Sequence, residues 1–162
     1  MTTGEHPAVV AFDGSAESTA AVRAAARLFG DRRLVVVSVW EPGLAFAMGP
    51  AYDPTGMGYP MPTGEEVAML DAVQRDHATA TAEAGARLAA EAGATEAEPY
   101  PVADRVRVAD TIAGLAEEME ACAVVVGTRG RGAMRSKLLG STSAELLRHA
   151  PCPVVVVRPD TV

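Results

Sequence analysis

The chain has 162 residues, 49% of them hydrophobic and 22% charged, with a net charge of −7. That composition describes one globular domain, long enough to bury roughly 70% of its unfolded surface without disulfide or metal staples. An acidic chain is a poor duplex binder, because duplex binding needs many phosphate-neutralising cations. No apolar run reaches the roughly 18 residues of a membrane span, and Met1 to Pro7 has no basic or apolar leader character. Cys122 and Cys152 are flanked by valine runs and read as reduced, half-buried thiols, so a cytoplasmic protein is expected.

Ala8-Val-Val-Ala-Phe12 is a short apolar run closed by Asp13-Gly14-Ser15, a strand followed by turn residues. Ser15 is placed to cap a helix whose alanines, Val22, Leu28 and Phe29 give it a broad apolar face up to Gly30. Leu34 to Val39 is β-branched and almost wholly apolar, as a strand buried on both faces should be. Strand, helix and strand within some forty residues predict a βαβ unit and a parallel sheet.

Glu41 to Pro62 interrupts this rhythm with five of the eleven prolines, four glycines and three methionines. Prolines at that density exclude a regular helix or central strand, so a long loop is expected at about 41–62. Thr63-Gly-Glu-Glu66 then reads as a capping box, opening a helix that runs to about Ala92 and stops at Gly93. Val67, Leu70, Val73, His77, Ala84 and Leu88 recur near helical spacing and are expected to form its buried stripe. His77 is read there as a helix-face residue, since Thr81 and not a second ligand follows one turn later.

Thr95 to Val102 carries Pro99 and Pro101 and is assigned a third strand only because the alternation of the fold requires one. A helix from about Arg107 or Val108 to Glu120, a strand at Ala123–Val126, a helix at Ser141–His149 and a strand at Pro153–Val157 complete the order. The expected fold is a single α/β domain over 1–162: a doubly wound five-stranded parallel sheet with helices on both faces, Rossmann-like.

In such sheets ligands bind beyond the carboxyl ends of the strands, near the switch in strand order. Two strand ends here carry unusual chemistry: Asp13-Gly14-Ser15, and the segment after Val126. From Ala121 to Ala144 there is no acid, while Arg129, Arg131, Arg135 and Lys137, the only lysine, all fall in that window. One basic, glycine-rich island in an acidic chain favours a small anionic ligand. Gly127, Gly130 and Gly140 permit close backbone approach, and successive N–H groups form an anion-binding concavity. Gly140 opens a helix whose unsatisfied first N–H groups favour negative charge, and Ser141, Thr142 and Ser143 add hydroxyls there. One of the three hydroxyls is as readily a helix cap as a ligand donor. A Walker A loop fails because Ser136 and Leu138 flank Lys137, and a dinucleotide fingerprint fails because Arg135 stands where its last glycine belongs.

The pattern that fits is G-x2-G-x9-G-[ST], through Gly127, Gly130 and Gly140-Ser141. With Val9–Ser15, Leu34–Val39, Leu139–Ser143 and Ala150–Val157, the chain resembles the universal stress proteins of the ATP-binding subgroup along nearly its whole length. The resemblance implies an adenine nucleotide α hydrolase-like fold binding ATP with Mg²⁺, without nucleic-acid or membrane partners. It implies that the Val39 backbone holds adenine, with Ala11 and Asp13 at the ribose side and Asp13 near the phosphate-bound Mg²⁺. Val126, Gly127, Arg129 and Gly130 would line ribose and phosphates, and Gly140, Ser141, Thr142 and Ser143 would grip the triphosphate. It also implies a homodimer through Val154–Val157, which would cover an otherwise bare apolar edge. The chain departs from the family at Val106 and Val108, where a glycine and often a proline are usual, and in its longer 41–62 loop.

No motif places a second acid or histidine to orient water, so a nucleotide-responsive stress or signalling protein, read by a protein partner, is expected rather than an efficient enzyme. The alternatives are a slow ATP-hydrolysing or adenylyl-transferring enzyme on the same fold, and a ligand-free dimeric scaffold.

Overall fold

Five apolar runs become five parallel strands, and each connection between them carries a helix. The computed structural model describes residues 6–43, 62–104, 106–129 and 139–159. Within them the order is β1 (Ala8–Ala11), α1 (Ala16–Phe29), β2 (Arg33–Trp40), α2 (Gly64–Glu91), β3 (Glu96–Ala103), α3 (Val108–Glu118), β4 (Ala123–Gly127), α4 (Ser141–His149) and β5 (Val154–Val157). The sheet order is β3-β2-β1-β4-β5 and every pairing is parallel. The doubly wound five-stranded fold is the one expected; most of the 41–62 loop, residues 44–61, lies outside the described residues.

Strand alternation divides the core into two layers. Val10, Leu34, Val36 and Val125 meet α1 and α2 through Ala21, Val22, Ala25, Ala86 and Ala89. On the other face Val9, Val35, Val37, Val124 and Val126 meet α3 and α4 through Ile112, Leu115, Ala116 and Leu146. The valine runs of β2 and β4 are therefore buried on both sides, which explains why their sequences show no polar alternation.

β3 is a full eight-residue strand despite its two prolines. It lies at the sheet edge and pairs only with β2. The Asp104 N–H donates to the Trp40 carbonyl at 2.7 Å, so alternation turns Tyr100 and Val102 inward and Pro99 and Pro101 outward. The missing N–H groups fall where no neighbour needs them, and they keep that edge from pairing with another strand.

α2 begins with the expected capping box. Thr63 N–H donates to Glu66 Oε2 at 2.7 Å and Glu66 N–H to Thr63 Oγ1 at 3.2 Å, and these bonds hold the Glu66 carboxyl below its ordinary range. It ends with Ala94 N–H on the Ala89 carbonyl and Gly93 N–H on the Ala90 carbonyl, with Gly93 at φ +101°. Its buried face differs from the expected stripe: Val67, Ala78, Ala82, Gly85, Ala86 and Ala89 are buried, while Leu70 and Val73 are 48% and 59% exposed. The reason is length. Twenty-eight helical residues span about 42 Å, whereas the eight residues of β2 span about 26 Å. β3 starts opposite Arg33 at the amino end of β2, so the amino-terminal half of α2 overhangs the carboxyl edge of the sheet. Small residues mark where the helix lies on strands; large ones mark the overhang.

At Gly85 the approach is close enough that a Cβ would lie 2.7 Å from the Phe12 ring and from Val36 Cγ1. Gly85→Ala should lower stability by about 1–3 kcal/mol through overpacking. Gly114 in α3 has nothing within 4 Å of such a Cβ, so Gly114→Ala should raise stability by about 0.5–1 kcal/mol. Urea denaturation midpoints at constant m separate the two; equal signs would refute the packing account.

Candidate functional site

Strand order reverses between β1 and β4, since β1 leads through α1 to β2 while β4 lies on its other side. The carboxyl ends of these strands open the crevice in which open α/β sheets bind ligands. Ala11, Val39 and Val126 reach this edge with their side chains on one face, packed with the α3 and α4 layer. Val126 is 6% exposed and is part of the core, leaving Ala11 and Val39 as the half-buried walls.

Asp13 follows β1 in a turn built from its own neighbours. Gly14 has φ +80°, and Ser15 N–H donates to Asp13 Oδ1 at 2.9 Å. Ser15 caps α1 by accepting from Ser18 N–H at 3.1 Å, and Ser18 Oγ donates to the Ser15 carbonyl at 3.1 Å. The carboxylate is thereby fixed at the crevice mouth rather than left on a floppy loop. Ser18 was not anticipated; its signal in the sequence is a second serine three residues after the cap.

On the facing side, Gly127 is the last residue of β4 and its role is packing. A Cβ there would lie 2.8 Å from the Glu17 backbone, so the absence of a side chain lets α1 pack against the end of β4. Thr128, buried at 7% exposure, is the second unanticipated residue. Its N–H donates to the Val157 carbonyl at 2.9 Å, and its carbonyl accepts the Gly140 N–H at 2.7 Å. Ser143 Oγ lies 3.2 Å from that same carbonyl and 3.0 Å from the Gly140 carbonyl. The Ser143 hydroxyl is thus directed into the protein, and only its backbone N–H remains for an anion. Gly140 has an ordinary extended φ of −71°; space, not conformation, selects glycine, because a Cβ would sit 3.3 Å from Arg129 Cα and from the Thr128 oxygen.

Gly140 is the N-cap of α4 and no side chain caps the helix. The first-turn N–H groups of Ser141, Thr142 and Ser143 therefore point outward uncapped, with exposed Ser141 and half-buried Thr142 beside them. Arg129 adds a charge, and its Nε is buried without a hydrogen-bond partner. An orphaned buried donor is costly, and an anion would satisfy it. These groups fit a phosphate chain. Gly130, Arg131, Arg135 and Lys137 lie outside the described residues. Among the described residues no group of three or more acidic, histidine or cysteine side chains could hold a metal ion. The departure at Val106 leaves the mouth open, since that side chain is 76% exposed, while Val108 packs on the α3 and α4 layer. Cys152 is half-buried, and burial together with nearby Cys122 pushes its thiol up from the ordinary range, as suits an inert core cysteine.

The family model described as the Universal stress protein family matches residues 6–158. A Mycolicibacterium smegmatis universal stress protein is 33% identical over 161 residues, covering 96% of this chain and 49% of that protein. The chain thus spans about half the length of that relative. The solved universal stress protein UspA of Lactobacillus plantarum superposes with TM-score 0.72 at 20% identity, over 95% of this chain and 98% of its own. The universal stress protein of Archaeoglobus fulgidus in complex with dAMP gives TM-score 0.60 at 23% identity, over 94% and 97%.

The double acceptor at Thr128 makes a stability prediction. Ser143→Ala removes one bond but leaves that carbonyl satisfied by Gly140, so it should cost about 1 kcal/mol. Ser141→Ala, on an exposed hydroxyl, should stay within about 0.5 kcal/mol of the parent. Thermal and urea unfolding would show the contrast; an equal loss in both variants would remove the assigned role of Ser143.

Proposed function

The chain belongs to the universal stress protein family, and from that premise we propose that it binds ATP with Mg²⁺ in the crevice between β1 and β4. The observation that carries the proposal is the uncapped first turn of α4 held beside Arg129, whose buried Nε has no partner. Solved relatives in complex with cAMP, with dAMP and, in Arabidopsis thaliana, with AMP bound support an adenine nucleotide as the ligand class. The triphosphate lies against the α4 N–H groups and Arg129, and the base reaches the Val39 backbone between the ends of β1 and β2. A Mg²⁺ ion would be held mainly by the phosphates, with Asp13 as the nearby protein carboxylate. Gly130 is assigned to the same site by its place in the motif alone.

Binding without efficient hydrolysis is the better reading of this site. His149 stands at the far end of α4, about 12 Å from its first turn, with its side chain 64% exposed and 3.7 Å from Glu145. It is in no position to orient water at a γ-phosphate. We read the protein as a cytoplasmic homodimer whose nucleotide-dependent conformation is sensed by a protein partner. No helix among the described residues is long and apolar enough to cross a membrane.

The dimer rests on β5. The Pro153 and Val157 carbonyls accept from Val124 and Thr128 of β4, so alternation turns the N–H and C=O groups of Val154 and Val156 to the outer edge. That edge has no proline between Val154 and Val157, in contrast with β3 at the opposite side. A second copy pairing there would satisfy those groups.

Denaturing the purified protein and analysing the supernatant by chromatography and mass spectrometry should release adenine nucleotide near one per chain. Gly140→Val places branched bulk against Arg129 and Thr128 and should weaken Mg-ATP binding at least about tenfold by calorimetry, with the circular dichroism spectrum unchanged. An empty protein that also gives no heat with Mg-ATP would favour the scaffold reading. Val156→Pro deletes one outward N–H and should shift sedimentation from dimer to monomer; a persistent dimer would place the interface elsewhere.

A further inference from the structure

The turn between β3 and α3 is pinned at both ends, and it carries the most exposed large apolar side chain among the described residues. Asp104 does the pinning at the sheet. Its N–H donates to the Trp40 carbonyl at 2.7 Å, and its Oδ1 accepts from the Val106 N–H at 3.1 Å and from the Thr111 hydroxyl at 2.8 Å. At the other end Arg107 is the N-cap residue of α3. Its Nε donates to Asp110 Oδ2 at 2.9 Å, and its guanidinium lies 3.8 Å from the Glu145 carboxylate on α4. Val106 stands between these anchors at 76% exposure, whereas Val108 packs inward with the α3 and α4 layer.

The anchors fix where that side chain stands. Trp40 is the last residue of β2, and β3 lies beside β2 at a strand spacing of about 4.8 Å. Glu145 lies one turn into α4. The turn therefore crosses the carboxyl edge of the sheet, from the end of β2 to the face that carries α4, and Ala11 and Val39 turn to that same face. These are the elements proposed to hold the base and the phosphates. Exposure alone means little for a single apolar side chain. Here the backbone that carries it is bonded into place beside the crevice, so the methyl groups are positioned before a ligand arrives and little order is lost in using them. Their surface contributes to binding only when something apolar covers it. The flat face of a purine does that, and a phosphate does not.

We propose that Val106 is a base-recognition residue of the nucleotide site, its methyl groups covering one face of the purine, and that Asp104 is the positioning residue that holds it there. The inference rests on the nucleotide reading and deepens it by assigning the base end of the site, while Arg129 and the α4 N–H groups serve the phosphates. Val106 stands where the family pattern has glycine, which offers no side chain to a base. The contact therefore belongs to this chain rather than to the fold.

Isotope-labelled valine methyl groups report the contact directly, because an aromatic ring laid over a methyl group shifts its resonance upfield. When the full chain is saturated with Mg-ATP, the Val106 methyl signals, identified by their loss in Val106→Ser, should move upfield. Magnesium tripolyphosphate should leave them in place. By calorimetry Val106→Ser should weaken Mg-ATP binding about fivefold, the effect of uncovering roughly 40 Å² of apolar contact. Asp104→Ala should weaken it by a similar factor, and Asp104→Asn, which keeps the accepting oxygen, should stay within about twofold of the parent. Val106 is exposed, so its serine variant keeps the fold. Saturable Mg-ATP binding with unmoved Val106 methyl signals, or equal affinity in Val106→Ser, overturns the assignment and leaves nucleotide binding standing. A loss in Asp104→Ala that Asp104→Asn does not restore overturns the positioning role. A parent chain that gives no heat with Mg-ATP overturns the nucleotide reading, and this assignment with it.

Discussion

The carboxyl edge of this sheet depends on one carbonyl. Thr128 sits just past β4, and its oxygen accepts the Gly140 N–H while lying within reach of the Ser143 hydroxyl. Those bonds close the chain back on itself between β4 and α4, so the helix starts beside the strand end instead of somewhere along a long excursion. The Thr128 N–H is tied to β5, which makes the clamp an extension of the sheet. A helix N-terminus is useful to an anion only if it is aimed, and this arrangement aims it. Because the N-cap residue is Gly140, the helix is left without a side-chain cap. The same economy explains why the site's donors are backbone groups: their directions are set by the fold and lose no rotamer freedom on binding.

The facing wall is fixed with similar rigidity by a packing contact. α1 comes so near the end of β4 that Gly127 has no room for a side chain. That approach brings the Ser15 cap, the Ser18 hydroxyl and the Asp13 carboxylate to the mouth of the crevice. Electrostatics then set the size of the ligand. A chain of net charge −7 repels a long polyanion, while the acid-free window from Ala121 to Ala144 remains locally attractive to a short one. The boundary of that window is structural. Glu145 lies one turn into α4 and is engaged by Arg148 at 3.2 Å, so the first acid after the window is paired and is held away from the helix start.

Much of this was legible in the sequence, and what was not has a common cause. Valine runs announced β2 and β4 because strands buried on both faces show no alternation to misread, and β5 by its β-branched run although it is half-buried at the edge. The capping box at Thr63 and the stop at Gly93 bounded α2 because those signals are local. The buried face of α2 was not legible. Periodicity finds the apolar side of a helix, but it cannot say how much of the helix lies over a sheet, and Leu70 and Val73 fell on the part that overhangs. Glycine was similarly ambiguous. Gly127 and Gly140 stand in one motif, yet one makes room for α1 and the other for the turn at Arg129. A hydroxyl in a motif carries no direction, so nothing in Ser141-Thr142-Ser143 distinguished the inward serine from the outward one. β3 was the reverse case: its prolines weakened the strand signal, and its position at the edge is what makes them harmless.

The end of β2 shows how a period of two lets one strand serve two environments. Val39 turns to the α3 and α4 side and packs with that layer, whereas Ser38 and Trp40 turn to the α2 side. The positions cannot move independently, because the Trp40 carbonyl receives the Asp104 N–H of β3. On the proposed assignment, a nucleotide base held at the Val39 backbone therefore meets a strand end already pinned to β3.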